Sequence, residues 1–333
     1  MPERTVLTAL NDTLREEMRA DPSILVLGET VWSGGAAGVT RDLIDEFGER
    51  VIETPVSENA IFQAALGLAI AGYRPIIEIY SADFLLAVAN EVINDMAKWR
   101  AQQGRPAHLP ITIRGPMGAT GGLGPEHSQC VERYFYHAPG LEVVVPGSPA
   151  TCAPLLAASI RSNEPTLFLE HRRLYPAALP VTGEEGPAQL GRGEIVRKGS
   201  EATVVAWGWM VSESLTAADR AAEQGLDLEV IDLQTVAPMD LELVVESLNR
   251  TGRLLTVEEA PKRGGIGGEI VASVSERLGR AIPMMRVGME DCIHSYHPVI
   301  EAEMLPDSSD IEKAAYNLCN RGSLGRSEVG PLE

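Results

Sequence analysis

The chain has 333 residues, 44% hydrophobic and 23% charged, enough for two ordinary domains with a large core. Its formal net charge of −19 argues against a nucleic-acid partner, whose phosphates such a surface would repel; a basic protein partner is compatible. The four cysteines (Cys130, Cys152, Cys292 and Cys319) form no CxxC pair, and no apolar run reaches membrane length without a break, so a cytoplasmic protein without membrane attachment is expected.

In chain order, residues 5–19 carry apolar residues at Val6, Leu10, Leu14 and Met18, which predicts a helix. Residues 24–28 (ILVLG) predict a buried strand, followed by Glu29 and a glycine-rich loop at 34–38. A short helix capped by Thr40 is expected over 40–47. The stretch 51–80 reads as strand, turn, helix, turn, strand, a crossover unit of a parallel sheet. Its helix, 59–71, is apolar nearly all round, which predicts burial, and Glu58 stands at the mouth of that helix. On local pattern alone Ser57-Glu58 also reads as an ordinary helix start, with Ser57 as cap.

A long helix is expected over 83–103 and a strand over 109–114. Residues 115–129 (GPMGATGGLGPEHSQ) hold five glycines and two prolines, and irregular loops of that length in compact domains are usually functional. His127 lies there with Glu126, Ser128 and Gln129, groups able to hydrogen-bond or move a proton. Beyond them a strand is expected at 141–145, a helix at 149–161 and a strand at 166–170.

Residues 176–193 are rich in Pro, Gly and Glu and read as a connection. Strands are then expected at 202–206, 228–231, 254–257 and 284–287, with helices at 211–224, 240–249, 268–278 and 309–320. This predicts an α/β protein of two domains with mainly parallel sheets: residues 1–180, a linker at 181–193, a second domain at 194–320 and a mobile tail at 321–333. In such sheets ligands lie beyond the carboxyl ends of the strands.

His294-x-x-His297 lacks a third metal ligand in view and reads as two loop histidines; His108, His137 and His171 receive no role. The GGIGG run at 264–268 does not match the spacing of a dinucleotide fingerprint and reads as a tight strand-to-helix turn.

Several blocks, in order, carry a resemblance: LGET, GVTRDLIDEFG, ETPVSENAIFQAALGLAIAGYRPIIEI, SADF, PITIRGPMGATGGLGPEHSQ, PGLEVVVPGSP, VIDLQTVAPMD and VEEAPKRGGIGGEI. With them the chain resembles the β subunit of the thiamine-diphosphate-dependent E1 component of 2-oxo acid dehydrogenases, in the transketolase superfamily, over about residues 4–318. The resemblance implies a pyrimidine-binding domain followed by a transketolase-type C-terminal domain. It implies that Glu58 bonds N1′ of the cofactor's aminopyrimidine and favours its imino form. It implies that Phe84 packs on that ring, that His127 stands near the reacting carbons, and that Glu29 lies on the pyrimidine side. A carboxyl in Glu58's role needs burial to keep its proton.

A potassium site on backbone carbonyls of Ile111, Ile160 and Asn163 is also implied, although the side chains of Ser162 and Glu164 differ from those associated with it. The family's diphosphate and Mg²⁺ ligands need a Gly-Asp-Gly motif that this sequence lacks. A partner α chain in an α2β2 heterotetramer is therefore expected to hold Mg²⁺ and to share the cofactor. A lipoyl-bearing E2 or another carrier protein is the expected acceptor. Asn90-Glu91 in the long helix, and DCIHSY at 291–296, depart from the family's pattern. Those departures motivate one alternative, half of a split transketolase-like enzyme that moves a two-carbon ketol unit to a sugar or carrier protein; a second, against which Glu58, Phe84 and His127 count, is a non-catalytic scaffold subunit.

Overall fold

The computed structural model describes residues 4–104, 107–179 and 188–320. The proposed tail at 321–333 and most of the proposed linker lie outside them. The strands are β1 (Ile24–Gly28), β2 (Val51–Glu53), β3 (Arg74–Glu78), β4 (Thr112–Met117), β5 (Glu142–Val144), β6 (Thr166–His171), β7 (Glu194–Arg197), β8 (Ala202–Ala206), β9 (Leu228–Asp232), β10 (Thr235–Ala237), β11 (Leu254–Pro261) and β12 (Met284–Met289). The helices are α1 (Val6–Ala20), α2 (Leu43–Phe47), α3 (Glu58–Ile70), α4 (Trp99–Gln103), α5 (Glu132–Phe135), α6 (Pro149–Arg161), α7 (Met210–Glu223), α8 (Leu241–Thr251), α9 (Ile266–Leu278), α10 (Pro298–Met304) and α11 (Ser308–Asn320).

The first sheet has the order β10-β5-β6-β4-β3-β1-β2 and is parallel except for β10, which runs antiparallel to β5. The second sheet has the order β12-β11-β8-β9-β7 and is parallel except for its edge strand β7. A purely parallel run must be covered on both faces, and the side-chain alternation shows how. In β1 and β3, Val26 and Ile76 point to a core built by Leu10, Leu14 and Met18 of α1 and Leu156 of α6. Leu27 and Ile77 point to the opposite core with Ile61, Phe62 and Ala65 of α3. That second core is continuous with one face of the other sheet, through Ile231, Val244 of α8 and Ile270 of α9. The two halves of the chain are thus welded by shared apolar packing, and β10 completes a sheet that otherwise belongs to the first half.

Four local expectations are corrected. Helix α3 begins at Glu58 and is not buried all round: Asn59, Ala60, Gln63, Ala64, Gly67 and Ile70 face outward, with Ile70 54% exposed. Its apolar composition exceeds what this chain alone covers. Thr40 does not cap α2; its hydroxyl donates to Val31 O at 3.0 Å, and α2 starts at Leu43. The long helix over 83–103 is wound unevenly, as a 3₁₀ turn over Ala82–Val88, a π turn over Glu91–Met96 and then α4. Strand β4 begins three residues late, because Pro110 has no N–H for a central strand, and runs on through Gly115 and Pro116. Pairing with β3 ends at Arg114, so Pro116 sits where β4 has a partner on one side only.

Candidate functional site

The carboxyl ends of β1, β3, β4 and β6 lie side by side, and the loops that leave them build the site. Glu29 follows β1 directly and is buried. Gly28 is paired with Glu53 at the end of β2, and the Glu53 carboxylate accepts the amides of Thr30 and Trp32, each at 2.9 Å. Burial pushes the Glu29 carboxyl upward, and the nearby charges of Glu58 and Glu53 push it the same way. The charge of Glu58 thus reaches Glu29, which puts the two carboxyls in one acidic corner. Glu58 itself, the first residue of α3, is half-exposed, so the complete burial expected for its role is not reached within one chain.

Ser57 occupies the position before that helix, but its hydroxyl makes no capping bond. Beside Glu58, Asn59 donates to Glu91 Oε1 at 2.8 Å. The unusual Glu91 is thereby accounted for, since its buried carboxylate ties the first turn of α3 to the π turn.

Beyond β3 the chain turns through Ser81 into the 3₁₀ segment that carries Phe84. The rings of Phe84 and His127 meet edge to face, with centroids 5.3 Å apart. Asp83 accepts the Gln129 amide at 3.0 Å and the Ser81 hydroxyl at 2.7 Å, so the Phe84 turn and the far end of the His127 loop share one buried carboxylate. Arg172, just past β6, donates to Gly118 O at 2.9 Å and to Ser81 Oγ at 2.7 Å, which fixes the floor. Above it lies a cleft of about 540 Å³ lined by His127, Leu123, Tyr80, Ala36 and Arg172 among others.

Under the cleft is a buried ionic group that sequence reasoning missed. Arg114 of β4 lies between Glu78 of β3 and Glu170 of β6, and Glu170 also accepts Tyr175 OH at 2.5 Å. Burial alone would lower the pKa of Arg114; Glu170 outweighs it and holds the guanidinium charged. The glycine loop packs directly on this group: a Cβ at Gly35, which has φ +68°, would fall 2.3 Å from Glu78 Oε1.

A second missed group joins the domains. His171, at the end of β6, and Glu259, on β11, are both buried and lie 2.9 Å apart. His171 Nδ1 accepts the Arg173 amide at 3.2 Å, so Nε2 carries the proton given to Glu259. Cys130 donates to the other Glu259 oxygen at 3.5 Å. Cys, His and carboxylate so close together could ligate a metal, but their polar atoms are already bonded to one another. The signal in the sequence was charged residues inside otherwise apolar strands, TLFLEH and LLTVEEAP.

The residues named for potassium do not fit that ion. Arg74 donates to Ile160 O at 3.2 Å, to Ser162 O at 2.9 Å and to Asn163 Oδ1 at 2.6 Å. Ile111 O accepts the Thr166 amide at 2.9 Å and Asn163 O the Leu109 amide at 3.0 Å. A guanidinium and backbone amides take the oxygens that a cation would need.

Residues 3–178 match the transketolase pyrimidine-binding domain and residues 191–311 the transketolase C-terminal domain. Among solved structures, a split-gene transketolase described as an inactive β4 tetramer superposes with a TM-score of 0.80 at 25% identity, covering 94% of this chain and 97% of that one. The pyruvate dehydrogenase E1 component subunit β of Staphylococcus epidermidis is 39% identical over 324 residues, 95% of this chain and 98% of the relative. That of Bacillus subtilis is 38% identical over 322 residues, 95% and 98% respectively. The fold and site define a transketolase-type pyrimidine-binding protein of a thiamine-diphosphate-dependent class, and within it the chain belongs to the family of E1 β subunits.

Among the described residues no helix is long and apolar enough to cross a membrane.

Proposed function

We propose that this chain supplies the aminopyrimidine half of a thiamine diphosphate site for oxidative decarboxylation of pyruvate or a close 2-oxo acid, with the acyl unit passing to a lipoyl carrier. The observation that carries the reading is the joint placement of four groups at adjoining strand ends. Glu29 and Glu58 share an acidic corner, and Phe84 and His127 share a ring contact beside an open cleft.

The residues fit the ring they would receive. Glu29, whose carboxyl burial holds above its ordinary range, places an acidic group on the side where the ring would sit. Glu58, at the rim, can share a proton with a ring nitrogen once a second chain covers α3 and removes water from its carboxyl. Phe84 offers an apolar edge, and His127, standing over the cleft, can give or take a proton at a substrate oxygen. Bound thiamine diphosphate would supply a nucleophilic carbon for the keto carbon and, in its cationic ring, the sink for the electron pair left by CO2.

The chain offers no Gly-Asp-Gly for Mg²⁺, so the diphosphate half belongs to an α partner, in an α2β2 assembly with the cofactor at the interface. Two observations favour that partner. One stripe of the outward face of α3 is apolar, through Ala60, Ala64, Gly67 and Ile70, and Val56 beside Glu58 is 79% exposed. The split-gene transketolase of similar fold is described as an inactive β4 tetramer.

The test is co-expression with the α chain and assay across 2-oxo acids. Glu58→Gln is expected to assemble normally but to lower turnover by about 100-fold or more, the range for loss of a proton-transfer group. Near-normal turnover in that variant would remove Glu58 from the chemistry. Transfer from ketose phosphates, with no turnover of 2-oxo acids, would favour the two-carbon ketol alternative.

A further inference from the structure

The loop over 118–129 presents His127 but holds little of its own shape. Its internal backbone bonds are those of His127 N to Gly124 O at 3.3 Å and Gly118 N to Gln129 O at 3.2 Å. Its two ends are tied to the first half of the chain, where Arg172 donates to Gly118 O and Asp83 accepts the Gln129 amide; between those ends, the bonds that set its course go to the C-terminal half. Ala119 N donates to Glu259 Oε1 at 2.8 Å. Gly122 N donates to Glu301 Oε2 at 2.8 Å, and Ser128 Oγ donates to Glu301 Oε1 at 3.1 Å. Farther out, Tyr296 OH donates to Glu126 at 2.6 Å.

Glu301 is 1% exposed, and its two oxygens are divided between the two limbs of the loop. Gly122 precedes His127, and Ser128 follows it immediately. One buried carboxylate therefore spans the turn on whose crest His127 sits. A carboxylate so buried is stable only with its oxygens occupied, so opening the loop would strand a charge, and the closed course is favoured. The glycines serve the same contact. Gly122 and Gly124 have φ of +81° and +85°, and a Cβ there would fall 2.4 Å from Tyr296 O and 2.0 Å from the Tyr296 ring. They let the loop lie against Tyr296 and Pro298, at the end of the 291–296 segment and just beyond it.

We propose that Glu301 is a positioning residue that latches the His127 loop to the C-terminal domain, with Tyr296 as an outer clasp. The catalytic part of this inference rests on the function proposed above; the latch itself does not. Glu301 touches no reacting atom. It acts by holding His127 against Phe84 at the cleft.

The test compares wild type, Glu301→Ala, Glu301→Gln and Tyr296→Phe, each as the full chain assembled with its α partner. Two readouts are taken: hydrogen exchange by peptide, and steady-state kinetics. Glu301→Ala is expected to raise exchange over 119–129 by about tenfold or more. It should lower kcat by about tenfold or more while KM for thiamine diphosphate stays within about threefold. Glu301→Gln should fall between, because its amide accepts one donor and repels the other. Tyr296 is 63% exposed, so Tyr296→Phe tests the clasp without threatening the fold, with a smaller rise confined to the same peptide.

Unchanged loop exchange in both Glu301→Ala and Tyr296→Phe would overturn the proposal, as would a rise spread equally over β8 and β11. If Glu301→Ala does not assemble, unchanged exchange in Tyr296→Phe overturns it alone. Loop exchange that rises as expected, in a complex whose wild type turns over no 2-oxo acid, would sustain the latch and overturn the function proposed above.

Discussion

Replacing Glu259 by Gln probes the seam between the two halves of the chain through its pH dependence. Burial alone would raise the pKa of this carboxyl, but His171 at 2.9 Å, the Ala119 amide at 2.8 Å and the charge of Arg173 together hold it at about 2, against an ordinary 4.5. At about 1.4 kcal/mol per pKa unit, that difference is worth about 3 kcal/mol of stability at neutral pH. The folded value lies below the unfolded one. The contribution is therefore complete above pH 4.5, declines as the pH falls through 4, and is gone below about 2. Gln keeps the shape but removes the charge, and its NH2 faces a donor. Urea unfolding of both proteins at pH 7, 5, 4 and 3 should give a difference of about 3 kcal/mol at pH 7 and 5, shrinking to about half that or less at pH 3. A difference that stays constant from pH 7 to 3, or one under about 0.5 kcal/mol at pH 7, would refute the electrostatic account.

Two further outcomes follow from the same geometry. Glu258 is raised to about 8 by burial and then by Glu132, so its folded value lies above the unfolded 4.5 and wild-type stability should fall as pH rises from 5 to 8. Glu258→Gln mimics the acid form and should flatten that fall in thermal melts taken from pH 5 to 9; equal slopes for the two proteins would disprove it. Because Arg74 fills the oxygens of Ile160, Ser162 and Asn163, replacing potassium by sodium or choline should leave the wild-type Tm unchanged within about 1 °C. Arg74→Ala should melt lower and gain a potassium-dependent rise; a wild type stabilised by potassium would contradict the assignment.

The apolar runs carried most of the architecture. ILVLG at β1 and ATVVA at β8 are buried at every position, and a parallel strand covered on both faces leaves that mark on five consecutive residues. Strand β10 left no such mark, because three residues paired at a sheet edge need no periodicity of their own. The residues proposed for the site were placed by local pattern alone: Glu29 after a strand, Glu58 at a helix start, and His127 in a long irregular loop. The parts that hold it were not. Ser128 and Glu301 are 173 positions apart, and His171 and Glu259 are 88 apart. Nothing in either local pattern names its partner. His171 looked idle because a histidine at a strand end is usually exposed, and its partners Glu259 and Trp209 come from the distant second half of the chain.

Helix α3 shows a different kind of illegibility. Its sequence reads as a buried helix, yet the folded chain buries Ile61, Phe62, Ala65 and Ala69 and leaves Ala60, Ala64, Gly67 and Ile70 outside. Both facts hold together if the composition was set by an assembly rather than by one chain. A Cβ at Gly67 would meet nothing within 4 Å here, so this chain by itself gives no reason for a glycine that costs about 1 kcal/mol in a helix interior. A second helix packed closely against that face would give one. The same cover would take water away from Glu58 at the helix start. On the proposed assembly, the exposed stripe and the half-buried carboxyl are one feature: docking the partner would bury α3 and remove water from Glu58 in the same step.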